Sequence, residues 1–493
     1  MRQPVAGSGA AIPPIRARPA TFFRLSPARP GQPQCFAVRR GEIHERADAS
    51  YAAASVIVAR LYAAPKFPLK PLGQLTTLVQ YGISERATEE KVGVPMLRMN
   101  NLQADGWDLA DLKYIQLGEE DLERYRLHSG DLLFNRTNSK ELVGKCEVFR
   151  EPGDWVFASY LIRVRLSGEV IPEFVSTFLN APAGRAQIDR VSRHIVGMAN
   201  VNAEELRELL IPLPNPAEKR RLMQVVEKAR AARQRKLAEA DALLTSLDGW
   251  LLEQLGLTPP AANPRRVFAI RRAQTKSRLD AHFHNPEFQH ITDEIAKVTH
   301  AKLGRLAEFS SETWQPEEAE QESFRYIEIS SVSPQTGEAS AINTPVSEAP
   351  SRARLRVRDG DIIVSLTRPH HGSIAVIDSS LDGCIASTGF AVLRHISIHP
   401  TYLWCVLRSQ LCLKQMLQRS SGGNYPAITE PELRNILVPL PKREVQETIA
   451  AEVVRRRETA RRLRAEATRE WAAAKAWFES ELLGRPANPE RNS

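Results

Sequence analysis

Cysteine is scarce in this chain: there are five, Cys35, Cys146, Cys384, Cys405 and Cys412, an odd number with no C-x-x-C pair. That argues against a disulfide framework and a thiolate zinc site, and it fits a reducing cytoplasm. Long apolar runs are missing as well; no stretch approaches the ~20 residues that a bilayer requires. Residues 1–35 are rich in Pro and Arg without the compact apolar core of a signal peptide, and read as a disordered leader. Catalytic signatures are also absent. There is no G-x-x-x-x-G-K-[ST] loop, no glycine loop for S-adenosylmethionine, no N-P-P-Y-like tetrad, no G-x-S-x-G elbow and no H-E-x-x-H pair. The sequence therefore points to chemistry performed by partners.

What is present has the composition of a globular protein, 42% apolar and 25% charged, so disorder does not dominate. At 493 residues the chain is too long for one ordinary domain. A net charge of +9 is compatible with a polyanionic partner.

The strongest signal is an internal duplication, which fixes the architecture before any local reading. FAVRR at Phe36 recurs as FAIRR at Phe268, and Arg46, Asp48 and Tyr51 are echoed by Arg278, Asp280 and Phe283, all 232 residues on. Gly130-Asp131-Leu132-Leu133 recurs as Gly360-Asp361-Ile362-Ile363, and ELRELLIPLP (Glu205 to Pro214) as ELRNILVPLP (Glu432 to Pro441). Collinear matches at nearly one offset imply two copies of one unit, roughly 36–256 and 268–485, with strongly diverged contents. A shared frame with different contents suggests two modules with different ligands, although drift after duplication would look the same.

Each unit reads as mixed α and β. VPMLRMNNL, LKYIQL, RLHSGDLLFNRTNS, GKCEVF and VFASYLIRVRL are short apolar runs bounded by turn residues. A helix is expected in IPEFVSTFLNAPAGRAQIDRVSR. From Pro216 apolar residues fall at steps of three and four, including Leu222, Val226, Leu237, Leu244, Leu251 and Leu255. The second copy repeats this at Ile449, Val453, Ala460, Leu463, Ala467, Trp471 and Phe478. This is coiled-coil spacing, and each helix of about 40 residues would span roughly 60 Å. Packed as an antiparallel pair, two such helices would hold two globular heads a fixed distance apart; Arg233 and Arg456 on or near the seam make the packing imperfect there.

The run LRMNNL…DLKYIQL…GDLLFNRTNSKELVGKCEVF…VFASYLIRVRL, followed by IPLPNPAEKRRLMQVVEKA, resembles a target-recognition domain and adjoining conserved helix of type I restriction–modification specificity subunits. GDIIVSLTRPHHGSIAVI…ASTGFAVLRH…NYPAITEPELRNILVPLP and SRLDAHFHNPEF resemble the second such domain and the segment before it. The resemblance covers about residues 36 to 485. It implies an α+β fold of two homologous globular target-recognition domains separated by two long antiparallel coiled-coil helices in a pseudo-two-fold internal repeat. The corresponding boundaries are domain 1 at 36–215, spacer helix 216–256, linker 257–267, domain 2 at 268–441, spacer helix 442–485 and tail 486–493. It also implies that the chain is a non-catalytic bacterial cytoplasmic subunit, each head reading one half of a gapped site in double-stranded DNA. Two methyltransferase subunits using S-adenosylmethionine would bind it, with restriction subunits using ATP and magnesium joining for cleavage; the chain itself would need no cofactor or metal.

DNA recognition needs phosphate contacts for affinity and base-edge contacts for sequence, and loops rich in Arg, Lys, Asn and Ser supply both. In the first head the candidates are Asn135, Arg136, Thr137, Asn138, Ser139 and Lys140 with Lys145; then Arg98, Asn100 and Asn101; then Arg193 and Asn200 around Gly197. In the second they are Thr367, Arg368, His370 and His371, then Ser421, Asn424 and Tyr425. Polar hairpin turns would carry similar residues. The adjacent histidines lack a third ligand, so no metal site is expected. The run Arg455-Arg456-Arg457 with Arg461, Arg462 and Arg464 would touch phosphate or form a solvated helix face. Two rivals remain: a stand-alone bipartite DNA-binding regulator, and a coiled-coil scaffold without nucleic acid.

Overall fold

In the computed structural model the described residues are a few positions between 51 and 59 and then 62–484, less 104–105, 140–141, 169, 196–197, 259–266, 271–279 and 424. They divide into two compact units. Unit 1 holds the residues up to Ala231 together with those from Arg469 onward, and unit 2 holds Ala232–Thr468. Both mix helix and sheet.

In unit 1 the strand Leu69–Pro71 pairs antiparallel with Leu210–Pro212, Lys70 opposite Ile211. A four-stranded antiparallel sheet follows in the order Thr76–Tyr81, Leu161–Leu166, Leu132–Asn135, Cys146–Val148. A second sheet has Val94–Leu97 at its centre, parallel to Val156–Phe157 and antiparallel to Lys113–Ile115. The run Leu132-Leu133-Phe134 looked continuously apolar because both faces of its strand are covered. Leu132 and Phe134 pack with Phe174, Val175 and Phe178 of the helix Pro172–Leu179, while Leu133 faces Leu97, Leu127, Phe149 and Phe157. Alternate side chains of a strand point to opposite faces, so both cores draw on the same run.

Unit 2 repeats these pairings. His300–Lys302 pairs antiparallel with Leu437–Pro439, Ala301 opposite Val438. Its antiparallel sheet runs Glu308–Phe309, Phe390–Arg394, Ile362–Ser365, Ile374–Val376. In its second sheet Ser323–Ile327 is parallel to Ile385–Ser387 and antiparallel to Ile342–Pro345. Ile362 and Val364 face one core and Ile363 the other. The helices Pro400–Leu407 and Gln410–Arg419 correspond in order to Pro172–Leu179 and Pro182–Val191.

The long helices span Pro216–Thr245 and Arg443–Leu483. The first is interrupted at Ser246 and resumes over Leu247–Leu255, so it is not the unbroken rod that its periodicity suggested. Gly256 and Gly484, both left-handed at φ 65°, stand at the two C-terminal ends, where glycine avoids the Cβ clash. Within unit 1, Leu222, Met223 and Val226 share a core with Trp471, Phe478 and Leu482, and Arg221 pairs with Glu481. Within unit 2, Ala240 packs with Ala460 and Leu463, Lys236 lies 3.0 Å from Glu466, and Arg464 lies 2.7 Å from Asp241. In each unit the paired segments run in opposite directions. Arg456 does not disturb the packing: it stacks 5.0 Å from the Trp250 ring and bonds Glu452 and Ser246. No helix among the described residues is long and apolar enough to cross a membrane.

Candidate nucleic-acid interface

The strands that carry the candidate loops start from the Gly-Asp turns. Gly130 and Gly360 take φ of 100° and 85°, where a side chain is strained. Asp131 accepts hydrogen bonds from the His128 amide (2.9 Å) and from Arg165 Nε and Nη2 (2.7 and 2.8 Å). Asp361 does the same with the Arg358 amide (2.8 Å) and Arg394 Nε and Nη2 (2.9 and 2.7 Å). Each aspartate thus closes the turn and ties it to the neighbouring strand. At the far end of these strands lie Arg136-Thr137 and Thr367-Arg368.

In unit 1 the three candidate loops converge. Thr137–Asn138 pairs with Met198–Asn200, and Thr137 Oγ1 donates to Asn200 Oδ1 at 3.1 Å. The Arg136 guanidinium lies 4.7 Å from the Tyr81 ring. Arg98, Asn100, Arg136 and Thr137 line one cleft of about 650 Å3, joined by Arg86, Lys113 and Tyr160. Two predicted contacts turn inward. Asn101, 2% exposed, accepts from the Arg98 amide and donates to the Asp108 and Asp111 carbonyls. Asn135, 1% exposed, donates to the Leu142 carbonyl and closes its own loop. These two side chains build loops rather than face a ligand. Asn138 accepts from the Ser139 amide, and Asn138, Ser139 and Lys145 are not in the cleft wall. Lys140 lies outside the described residues, and only the backbone of Arg193, in the strand Arg193–Ile195, is described.

Unit 2 builds a cleft of about 510 Å3 at the matching place, lined by Thr367, Arg368 and His371 with Tyr326, Glu328 and Arg352. Thr367 and Ser421 each bridge to Ala427, which brings the two predicted loops of this head together. Arg368 has φ 47°, a left-handed conformation uncommon for a side chain, and stacks 4.2 Å from the Tyr425 ring. Tyr425 is 69% exposed. His370 Nδ1 is buried without a hydrogen-bond partner among the described residues; burial lowers the His370 pKa, with His371 and Arg368 adding to it. The two rings stand edge to face at 4.6 Å, and no group of three His, Cys, Asp or Glu suited to a metal occurs among the described residues. Asn424 lies outside the described residues.

The basic helix run is largely engaged: Arg455 and Arg456 bond Glu452, Arg461 bonds Glu338, and Arg457 stacks 4.3 Å from the Trp404 ring. Sequence reasoning missed Arg86, Lys113, Glu328 and Arg352 in the cleft walls. It also missed Gln187 and Gln415. Gln187 bonds both the amide and the carbonyl of Leu210 (2.7 and 2.9 Å), and Gln415 does the same to Leu437 (2.8 and 2.9 Å). Their nearly common offset was the available signal.

Residues 297–453 match the family described as Type I restriction modification DNA specificity domain. The specificity subunit of the type I restriction enzyme EcoKI from Escherichia coli K12 is 28% identical over 156 residues, 31% of this chain and 34% of that protein. A putative type I restriction enzyme MjaX specificity subunit from Methanocaldococcus jannaschii is 24% identical over 161 residues, 32% of this chain and 38% of that protein. The matched stretch spans just over a third of the length of each of these relatives. A solved S subunit of a type I system from M. genitalium aligns over 85% of this chain and 96% of that one, with 13% identity and a TM-score of 0.38. Over about a third of its length the chain is similar in sequence to type I restriction specificity subunits.

Proposed function

We propose, on the premise of that kinship, that this chain is the DNA-reading specificity subunit of a type I restriction–modification complex. Each unit reads one half of a bipartite, gapped site in double-stranded DNA. The two units are copies of one module, and the long helices serve as an antiparallel coiled-coil spacer between the heads. Partner methyltransferase subunits supply S-adenosylmethionine chemistry, restriction subunits supply ATP- and magnesium-dependent cleavage, and this chain tells both where to act in the bacterial cytoplasm. The observation that carries the reading is the recurrence of one cleft at one place in both units, walled by arginines and hydroxyl side chains that suit phosphates and base edges. The matched bonds of Asp131 and Asp361, and of Gln187 and Gln415, support common descent.

The test is exchange. Replacing residues 72–215 by the same region of another such protein should change one half of the methylated site and leave the other intact. A change in both halves, or in neither, refutes the modular assignment. Gel shifts at rising salt, with and without methyltransferase, separate the rivals. A scaffold shows no affinity that falls with salt, and a stand-alone regulator gains no discrimination from the partner.

A further inference from the structure

The two clefts are built on one frame but carry opposite charge at one equivalent position. Met96 and Tyr326 hold the same place in their sheets: Met96 pairs antiparallel with Lys113 and parallel with Val156, Tyr326 antiparallel with Ile342 and parallel with Ile385. Two residues on, the same turn opens. The Asn101 amide donates to the Arg98 carbonyl at 3.0 Å, and the Ser331 amide donates to the Glu328 carbonyl at 3.0 Å. Arg98 and Glu328 both line their clefts. Each is positioned by a neighbour. Arg98 Nη2 donates to Asp111 Oδ2 at 3.0 Å, and Glu328 Oε1 accepts from the Ser330 hydroxyl.

We infer that this position sets which base edge each head accepts, an inference that rests on the reading of the clefts as DNA-reading sites. Guanidinium offers donors only, so the first cleft selects an edge with paired acceptors, the N7 and O6 of guanine. Arg136 in the same wall adds donors of the same kind. A carboxylate offers acceptors only, so Glu328 selects an exocyclic amine, N4 of cytosine or N6 of adenine. Arg368 lines the same cleft and brings donors to it. The two half-sites therefore differ in kind: the first centres on guanine and the second on an amine-bearing base.

Selection of duplexes from a randomised library by the full chain together with its methyltransferase partner, followed by sequencing, tests this for the wild type, Glu328→Arg and Glu328→Ala. The wild type should enrich a two-part word with cytosine or adenine fixed at one position of one half. Glu328→Arg should move that position to guanine, leave the other half unchanged, and lower affinity for the original word by roughly 5- to 150-fold. Glu328→Ala, which removes the acceptor, should relax the same position and no other, and it decides the matter if the arginine variant does not fold. Identical words from all three proteins, a shift in both halves, or weakening by the same factor on every sequence would overturn the inference while leaving DNA reading intact. No enriched word from the wild type would overturn DNA reading itself, and this inference with it.

Discussion

Removing Asp131 and removing Asp361 should have unequal effects, although the two residues occupy equivalent turns. Asp131 is 1% exposed and faces two arginines. Arg165 can reach solvent, but Arg163 is itself buried, 3% exposed, with its guanidinium 3.8 Å from Asp131. Burial lowers the Arg163 pKa and Asp131 raises it again, so the aspartate is what keeps that cation supportable. In Asp131→Ala, Arg163 keeps only neutral acceptors, the Arg124 and Arg126 carbonyls and Gln80. A buried cation stripped of its carboxylate costs about 3–5 kcal/mol, and those neutral acceptors place this case near about 3. In Asp361→Ala, Arg394 still holds Glu312 at 2.7 Å. What is lost there is a set of charge-assisted hydrogen bonds, about 1.5 kcal/mol at the low end of their usual range.

Because the chain has two compact units, one global melting temperature would blur this difference. Hydrogen exchange read separately on the strands 132–135 and 362–365 resolves it. About 3 kcal/mol predicts a roughly 150-fold faster opening of the first strand in Asp131→Ala, and about 1.5 predicts a roughly tenfold effect on the second in Asp361→Ala. Equal accelerations, or a larger one in Asp361→Ala, would refute the assignment of the difference to the uncompensated Arg163 charge.

Three further outcomes are expected. Hydrogen bonds from Arg358 and Arg394 hold the Glu312 carboxyl down at about 2, from an ordinary 4.5. A depressed folded-state value means that this stabilisation is complete above pH ~4.5 and is lost as pH falls toward about 2; Glu312→Gln should flatten that acid limb for unit 2 in thermal unfolding. Gln415→Leu should strip the Leu437 amide and carbonyl of their partner and destabilise unit 2 by about 1–3 kcal/mol, with unit 1 unchanged in local exchange. Arg136→Ala, if that residue reads a base, should cost on the order of 1–3 kcal/mol at one position of one half-site in competition binding, whereas a loss equal on all sequences would make it a phosphate contact.

The sequence revealed those parts of the molecule whose side chains bind the main chain. Gly130-Asp131 and Gly360-Asp361 stood out because one turn needs a left-handed glycine followed by an acceptor. Leu72-Gly73 and Leu303-Gly304 match because a Cβ at either glycine would sit 3.0 Å from Arg207 or Arg434, residues of the repeated ELR segment. The cleft walls were only half visible. Arg86 and Lys113 join Arg98 and Arg136 from separate strands and turns, and adjacency across a sheet leaves no local spacing to detect. Asn101 and Asn135 show the opposite error. Composition cannot separate an asparagine that closes its own loop from one that faces outward, because both satisfy the same rule for turns.

Frame and cleft answer to different bonds, and this explains how two units can differ in one place and match in another. Replacing Gln187 or Gln415 takes the side-chain partner from a part-buried main-chain amide and carbonyl, replacing Asp131 strands a buried cation, and replacing Asp361 removes the acceptor that closes its turn, so each is confined to one chemistry. At Arg98 and Glu328 the turn is closed by a carbonyl that any residue possesses, at the same 3.0 Å in both units. The backbone of that turn is the same whether it carries the arginine, which Asp111 holds, or the glutamate, which Ser330 holds. A position whose turn forms with either charge, and whose side chain lines a cleft, is where such a unit would change what it accepts without unfolding. Wherever the same turn occurs in such a unit, that residue should vary more freely than the glutamine that bonds the main chain behind it.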